Sequence, residues 1–138
     1  ISDGYNFEEK HLKLSNLPQN ITIVAVNGAL NKWKLTNRSI NYYVVNNPYE
    51  ECARFLPRNN KTQPKCIFSQ RTNYNFVTNY KGLKYRYYPV NESTYTTLGS
   101  KEAIWQIDDY RNPICAAIGL AYKFGVEKFI KISPFVIS

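Results

Sequence analysis

The sequence predicts an α/β fold, organised as one domain around a mainly parallel sheet. Short apolar runs rich in β-branched residues are typical of strands covered on both faces, and helix-like segments separate these runs along the chain. This alternation favours parallel pairing, because each helix carries the chain back to the start of the next strand. The 138 residues are enough for one such domain, 1–138, and since the first residue is Ile1 we expect the sequence to be truncated at its ends.

Five strands are expected, each bounded by polar or turn-forming residues. They lie at 21–26 (ITIVAV), 41–45 (NYYVV), 65–69 (KCIFS), 83–90 (LKYRYYPV) and 126–132 (VEKFIKI). The first and the last are expected in the interior of the sheet because they are apolar, while the more alternating fourth run is expected nearer an edge. Helical patterns fill 7–15, 29–35, 49–56 and 73–80, and residues 92–110 are expected to hold a loop and a short helix.

The most apolar helix, NPICAAIGLAYKF, follows Arg111. Asn112 is a good N-cap and Pro113 suits the first helical position. A helix apolar almost all round must be buried, yet its first turn carries free N–H groups and the positive end of the helix dipole. We expect the N–H groups of Ile114 and Cys115 to face an anion within reach of Arg111. Simple capping by Asn112 is the alternative.

Polar residues follow nearly every predicted strand, at its junction with the next helix. The carboxyl ends of parallel strands share one edge, and ligands of open α/β sheets bind along that edge, so we expect a binding site there. The expected ligand-binding residues are Ser2, Gly4, Asn6, Asn27, Gly28, Asn46, Asn47, Arg71, Thr72, Arg111 and Asn112. Helix capping alone would account for Asn47, Thr72 and Asn112. Capping does not explain the other polar residues of this edge, which are Asn27, Asn46, Arg71 and Arg111.

The order of these motifs resembles that of a known family. ISDGYNFEEKHLKLSNLPQNITIVAVNGAL is similar to the amino-terminal half of the Rossmann-like family that includes the motility accessory factor glycosyltransferases and the archaeal-type 6-hydroxymethylpterin diphosphokinases, and more distantly to the family-42 sialyltransferases. NPICAAIGLAYKFGVEKFIKIS resembles a small-residue helix found later in those proteins. The resemblance implies a Rossmann-like three-layer fold and a nucleotide-dependent transferase. The GxGxxG and GxxxxGK[ST] fingerprints of other nucleotide sites are absent.

Carried over by position, the resemblance assigns roles to four stretches of this sequence. It implies a nucleotide-proximal loop at 2–6 and a base- or ribose-facing pair at Asn27 and Gly28. It also implies a second loop at 46–48 and the start of the central helix at 111–113.

The sequence departs from the family pattern after the second strand. The pterin diphosphokinase relatives carry aspartates where this sequence has Asn46 and Asn47, and neutral amides hold Mg²⁺ poorly, so a magnesium cofactor is not favoured. The sialyltransferase-like branch needs no metal, which favours glycosyl transfer from a sugar nucleotide over pyrophosphoryl transfer. A general base is expected from Asp3, Asp108 or Asp109, although the last two equally suit a solvated loop.

The net charge of +8 leaves a second class of function open. A non-catalytic module could use the same edge to bind a nucleotide or a polyanion, and tyrosine stacking beside scattered basic residues could bind nucleic acid. No recognition motif of a nucleic-acid module accompanies the charge.

Cysteine usage indicates a reducing compartment. Cys52, Cys66 and Cys115 are odd in number and form no CxxC motif, so we expect unpaired thiols in a cytoplasmic protein. No apolar run approaches the ~20 residues of a membrane span, and the oligomeric state is left open.

Overall fold

The computed structural model describes residues 20–32, 39–58, 63–90 and 106–128. Its strands are Val24–Val26 (β1), Tyr42–Val45 (β2), Lys65–Ser69 (β3), Lys84–Pro89 (β4) and Gln106–Ile107 (β5). Its α-helices are Ala29–Lys32 (α1), Tyr74–Asn79 (α2) and Pro113–Lys123 (α3), and a 3₁₀ helix spans Glu50–Phe55. The helix expected at 7–15 lies outside the described residues.

All five strands pair in parallel, in the consecutive order β1-β2-β3-β4-β5. Right-handed crossovers between consecutive strands place their helices on the same face of the sheet. Accordingly α1, the 3₁₀ helix and α2 pack on one face, here called the front face, and α3 packs on the opposite back face. The predicted α/β class and the three-layer, Rossmann-like arrangement are confirmed.

The front face is filled by aromatic side chains. The ring of Tyr43 on β2 lies 6.1 Å from the rings of both Phe76 and Tyr80, which are 5.7 Å from each other. The Tyr43 hydroxyl lies 2.6 Å from the carbonyl oxygens of both Asn27 and Phe55 and shares its single hydrogen between them. This tyrosine therefore joins the exit of β1 to the end of the 3₁₀ helix.

The back face is mostly aliphatic apart from Tyr42 and Tyr87, and α3 crosses it from β5 towards β1 and β2. Ala116 and Leu120 of α3 are buried against the strands. A Cβ atom at Gly119 would lie 2.9 Å from Cγ2 of Ile107, so the glycine permits the close approach of α3 to β5. The small residues of α3 thus determine how closely it lies on the sheet.

One predicted helix has a different form. The expected α-helix at 49–56 is a 3₁₀ helix that starts at Glu50, and its first hydrogen bond runs from the Cys52 N–H to the Tyr49 carbonyl. Its N-cap, Tyr49, offers no side-chain cap. Pro57 follows directly and disfavours helical geometry at Leu56, whose ψ is 136°. Without a side-chain cap at its start and with Pro57 beyond its end, the segment keeps the tighter 3₁₀ bonding, whereas α2 has the same length and is capped by Asn73.

Three strand predictions also need correction. β1 lies at one end of the described sheet rather than in its interior, and only Val24–Val26 of the predicted run forms a strand. Gln106–Ile107 forms a strand where a loop and a short helix were expected, and it makes β4 an inner strand. Residues 126–128 form no strand and are exposed, while the rest of the last predicted run lies outside the described residues.

All three cysteines are free thiols, as predicted, with Cys52 and Cys66 buried and Cys115 half-buried. Within the ranges that the structure describes, no helix has the length and apolar character needed to span a membrane.

Candidate functional site

Polar side chains meet on the back face at the carboxyl ends of the strands. Ser69 ends β3 opposite Tyr87 of β4, and Asn46 directly follows β2. Because side chains alternate along a strand, these residues share the face of Val44 and Ile67, beneath α3. Together with two charged neighbours they form what we call the strand-end cluster: Asn46, Ser69, Arg71, Tyr87 and Asp109.

Asp109 is the buried carboxylate of the strand-end cluster. It is 3% exposed, and its Oδ2 accepts a 2.7 Å hydrogen bond from the Tyr87 hydroxyl. Its Oδ1 accepts from the Arg111 N–H at 2.9 Å and lies 4.0 Å from Nη2 of Arg71. A buried charge requires such partners, because its desolvation is otherwise uncompensated. Asp109 is therefore fixed by groups from three separate segments.

Tyr87 is kept protonated in this setting. Burial raises the pKa of Tyr87, and the hydrogen bond to Asp109 and the charge of that carboxylate raise it further. Ser69 and Asn46 lie close enough to the Tyr87 hydroxyl to oppose part of this rise in pKa. At neutral pH, Tyr87 is accordingly a hydrogen-bond donor to Asp109.

The turn between β5 and α3 holds two consecutive residues in the left-handed region. φ is 48° at Tyr110 and 56° at Arg111. The Asn112 N–H donates to the Asp109 carbonyl at 2.7 Å and closes the turn, and Asp108 Oδ1 accepts from the Tyr110 N–H at 3.3 Å. Side chains with a Cβ rarely adopt this conformation. Its persistence here follows from the bonds that the two aspartates make.

The start of α3 differs from the prediction in one respect. Asn112 and Pro113 hold the predicted cap and first-turn positions. The Asn112 Oδ1, however, accepts from the N–H groups of both Ile114 (2.8 Å) and Cys115 (3.4 Å). The expectation that these two N–H groups face an anion is therefore wrong, since the cap satisfies them. Arg111 and Asn112 remain exposed at the helix start.

Asn47 also has a different role from the predicted cap. Its Oδ1 accepts from the Tyr49 N–H at 2.8 Å, and its carbonyl accepts from the Asn73 N–H at 2.9 Å. These bonds form a turn before the 3₁₀ helix and tie the β2 exit to the start of α2. Asn47 is thus engaged by the chain itself.

The residues that follow β1 and β3 likewise form hydrogen bonds with backbone groups at the carboxyl edge of the sheet. Asn27 has φ of 48°, and its Oδ1 accepts from the Asn46 N–H at 3.4 Å, with Gly28 half-buried beside it. Thr72 donates to the Val45 carbonyl at 3.0 Å, and Asn73 rather than Thr72 caps α2. The structure thus brings the described junctions together, as the sequence predicted.

Asn46 carries an unsatisfied polar atom. The residue is 8% exposed, and its Nδ2 is buried and makes no hydrogen bond of ordinary geometry within the described residues. Buried amide groups are rarely left in this state, because the lost hydrogen bond with water costs about 1–3 kcal/mol. The Nδ2 atom is thus a buried donor beside the Tyr87 hydroxyl that lacks an acceptor of ordinary geometry among the described residues.

The candidate catalytic carboxylates have different settings. Asp108 is exposed, whereas both carboxylate oxygens of Asp109 are engaged inside the protein. Asp3 and the predicted ligand-binding residues Ser2, Gly4 and Asn6 lie outside the described residues. Of the described pair, only Asp108 is exposed to solvent and so to a bound hydroxyl group.

Sequence reasoning missed Ser69 and Tyr87 as members of the site. The alternating run at 83–90 contained a usable signal, because a strand-interior tyrosine on an inward face needs a hydrogen-bond partner. The identity of that partner could not be read locally, since Asp109 lies 22 residues further along the chain.

In the part of the chain that the structure describes, no group of three or more His, Cys, Asp and Glu residues is placed to hold a metal ion. The chain was compared with protein-family models, curated proteins and solved structures, and none of the three comparisons found a match.

Proposed function

We propose that this domain binds a nucleotide at the carboxyl edge of its sheet and acts as a nucleotide-dependent transferase, with glycosyl transfer from a sugar nucleotide favoured over pyrophosphoryl transfer. The observation that carries the proposal is the buried, unsatisfied Nδ2 of Asn46. A phosphate, ribose or base oxygen would supply the acceptor that this donor lacks. The free thiols of the chain suit the reducing conditions of the cytoplasm, where sugar nucleotides are available.

Charge at the same edge supports a phosphate-containing ligand. Arg111 is exposed on the turn before α3, and Arg71 of the strand-end cluster lies at the exit of β3. Arginine groups stabilise the negative charge that develops on a departing phosphate. In a glycosyl transfer, Arg111 would hold the leaving nucleotide phosphate and Asp108 would accept the proton of the attacking hydroxyl.

The donor set favours this reaction over a magnesium-dependent one. Asn46 and Asn47 contribute neutral amides, and both oxygens of Asp109 already accept hydrogen bonds. Mg²⁺ prefers carboxylate oxygens with free lone pairs. The described residues therefore fit a magnesium ion poorly.

A non-catalytic binding module is the second candidate. It is favoured because both carboxylate oxygens of Asp109 already accept hydrogen bonds from the protein itself. Of the two aspartates that open DDYRNP (108–113), this leaves only the exposed Asp108 to act as a general base. Such a module would use the same edge and the same Asn46 donor without turnover.

Replacement of Asn46 by leucine tests the site. Leucine has a similar volume and no donor, so we expect nucleotide affinity to fall by about 1–3 kcal/mol while the unfolding midpoint stays the same or rises. Calorimetric titration with CMP, GMP, ATP and sugar nucleotides measures the first, and thermal unfolding the second. Asn75→Leu, on the exposed face of α2, is the matched control.

The outcomes separate the candidates. Asn46→Leu binding nucleotides as tightly as the parent would refute the site. Release of free nucleotide from a sugar nucleotide, followed by ³¹P NMR, distinguishes a transferase from a binding module. Binding of DNA that weakens steeply with salt and ignores Asn46→Leu would instead favour the polyanion alternative.

A further inference from the structure

The net positive charge of this sequence is confined to one stretch of the chain. Residues 52–91 contain eight lysines and arginines and no aspartate or glutamate, whereas the remaining residues contain ten basic and ten acidic residues. The whole net charge of +8 therefore comes from this stretch. In the described fold it supplies the end of the 3₁₀ helix, β3, α2 and β4. Charge asymmetry of this kind is typical of a surface that contacts an anionic partner.

Four of these cations lie together at the amino-terminal ends of β3 and β4. Lys65 begins β3 and Lys84 begins β4, and Lys84 pairs with Cys66, the neighbour of Lys65. Lys81 lies just before β4, and Arg86 follows Lys84 on the same face of the sheet, because side chains alternate along a strand. All four cationic residues are exposed. We call this group the basic edge: Lys65, Lys81, Lys84 and Arg86.

The charges of the basic edge are held in place without acidic partners. The Lys84 Nζ donates to a backbone carbonyl of α2 at 2.9 Å. The Arg86 guanidinium lies 5.7 Å from the centre of the Phe68 ring, and the Lys65 Nζ lies 6.0 Å from the centre of the Tyr42 ring. Among the described residues, no carboxylate forms an ion pair with these three cations. Their field is therefore not neutralised locally, and the cations are already positioned to meet an anion.

An aromatic ring is exposed between the two cations of β4. Tyr85 is 42% exposed, and it lies on the back face because it pairs with Ile67. In the described sheet β5 pairs only with Tyr88 and Pro89, so the amino-terminal half of β4 is an open edge. A flexible ligand that follows this edge can therefore contact the cations and the ring together.

Protection of the open edge is the alternative role for these cations. A lysine at an exposed strand edge hinders pairing with another sheet. That role needs charge only at the edge itself, and it gives no reason for the absence of acids from the whole of 52–91. It also gives no reason for an exposed ring between the two cations.

We infer that the basic edge binds single-stranded nucleic acid. Its cations contact phosphates and Tyr85 stacks on a base, an arrangement that binds single strands with little regard to their sequence. A duplex fits less well, because its bases are stacked on one another and do not reach the ring. An acidic peptide would use the charge but would leave the ring without a planar partner. This surface lies at the opposite ends of the strands from the proposed nucleotide site, so the inference goes beyond that site and does not depend on it.

The charge contribution is tested by the salt dependence of binding. Fluorescence anisotropy measures the affinity for labelled oligo-dT and oligo-U strands of about 12 nucleotides, and the pair distinguishes DNA from RNA. Lys84→Gln combined with Arg86→Gln removes two phosphate contacts, so the slope of log affinity against log salt should become shallower by about 1.4. Arg54→Gln combined with Arg58→Gln is the matched control, since it removes two exposed charges of the same stretch at and after the 3₁₀ helix. The control should leave the slope unchanged.

The stacking contribution is tested at Tyr85. Tyr85→Ala should lower the affinity for oligo-dT roughly five- to hundredfold, the scale of one base–aromatic stack, and Tyr85→Phe should retain it. Tyr74→Ala is the matched control, since Tyr74 is 78% exposed at the start of α2. Each variant should still unfold cooperatively in urea, because the replaced residues are exposed.

Several results would overturn the inference. These are no strand binding by the parent, an unchanged salt slope in the Lys84 and Arg86 variant, and equal losses in the arginine control. Duplex DNA that binds as tightly as oligo-dT, with no effect of Tyr85→Ala, would do the same. Displacement of the strand by polyglutamate at equal charge concentration would indicate an acidic protein partner instead.

The proposed nucleotide site and the basic edge fail separately. Asn46→Leu should leave strand binding unchanged, because Asn46 lies at the carboxyl ends of the strands. DNA binding that ignores Asn46→Leu belongs to the basic edge if the Lys84 and Arg86 variant weakens it, and to the polyanion alternative at the carboxyl edge if that variant does not. Nucleotide titrations that show no binding would refute the nucleotide site and leave the basic edge standing.

Discussion

At the scale of single residues, Asp109 has the most partners in the described site. Its removal leaves the Tyr87 hydroxyl without its acceptor in a buried setting and frees the left-handed turn. We expect Asp109→Ala to lower the free energy of unfolding by about 2–4 kcal/mol, the scale of a buried hydrogen bond to a charged group plus a lost turn restraint. Urea denaturation measures this change.

The neighbouring aspartate provides the control. Asp108 is exposed and makes one 3.3 Å bond, so Asp108→Ala should change stability by no more than about 0.5 kcal/mol. Adding Tyr87→Phe to Asp109→Ala should cost less than the sum of the single changes, because the phenylalanine removes the orphaned hydroxyl. Equal losses of stability in Asp109→Ala and Asp108→Ala would argue against the hydrogen bond between Tyr87 and Asp109. Full additivity of Asp109→Ala and Tyr87→Phe would argue against it as well.

At the scale of elements, the contact between α3 and β5 depends on Gly119. Alanine there gains about 1 kcal/mol of helix propensity, but its Cβ would lie 2.9 Å from Cγ2 of the buried Ile107. The β-branched Ile107 is stiff at χ1, and overpacking of this kind costs about 1–3 kcal/mol. We therefore expect Gly119→Ala to lower the unfolding midpoint.

Ile118→Ala is the control for this change, since Ile118 is 42% exposed on the same helix and its replacement mainly alters helix propensity. Chemical denaturation gives the free energy of unfolding of both variants, and the comparison separates the cost of overpacking at Gly119 from the effect of helix propensity. A Gly119→Ala protein more stable than the parent would mean that α3 can move away from β5 without loss.

At the scale of the whole molecule, buried acids on both faces of the sheet make stability sensitive to alkaline pH. Burial raises the pKa of the Cys52 thiol from 9.0 to about 11, and burial also raises the pKa values of Cys66, Tyr80 and Tyr87. Below the ordinary thiol value these groups are protonated in both states and add no pH dependence. Above it the unfolded chain releases protons first, so the unfolded state gains free energy and stability falls.

Thermal unfolding between pH 7 and pH 11 measures this effect. We expect a nearly constant contribution from these groups up to about pH 9 and a progressive loss above it, continuing to about pH 11, where the folded Cys52 thiol ionises. Cys52→Ser should show a shallower decline over that interval, because serine does not titrate there. A midpoint that stays flat to pH 11 would contradict the raised pKa values.

Much of this architecture could be predicted from local sequence. KCIFS is a strand with the predicted bounds, because a buried apolar run there is flanked by polar and turn-forming residues. Asn112 and Pro113 fixed the start of α3 for the same local reasons. The polar strand ends pointed to one edge because parallel strands all direct their carboxyl ends there.

The remainder depends on contacts that local patterns do not specify. Gln106–Ile107 is too short for a two-residue period to be detected, and it is a strand only because β4 pairs with it. The bond between Tyr87 and Asp109 joins residues 22 apart. The capping of Ile114 and Cys115 by Asn112 is a choice of side-chain rotamer, which composition leaves open.

The described strands are synthesised in the same order in which they lie side by side in the sheet. Every strand pair from β1–β2 to β4–β5 joins successive described strands, so the sheet can grow strand by strand from its amino-terminal side. The apolar back face, in contrast, receives its described cover from α3, which comes last along the chain among the described elements. A nascent chain that has not yet reached Lys123 therefore leaves Val26, Val44 and Ile67 without that cover, open to water, to a chaperone or to another unfinished chain.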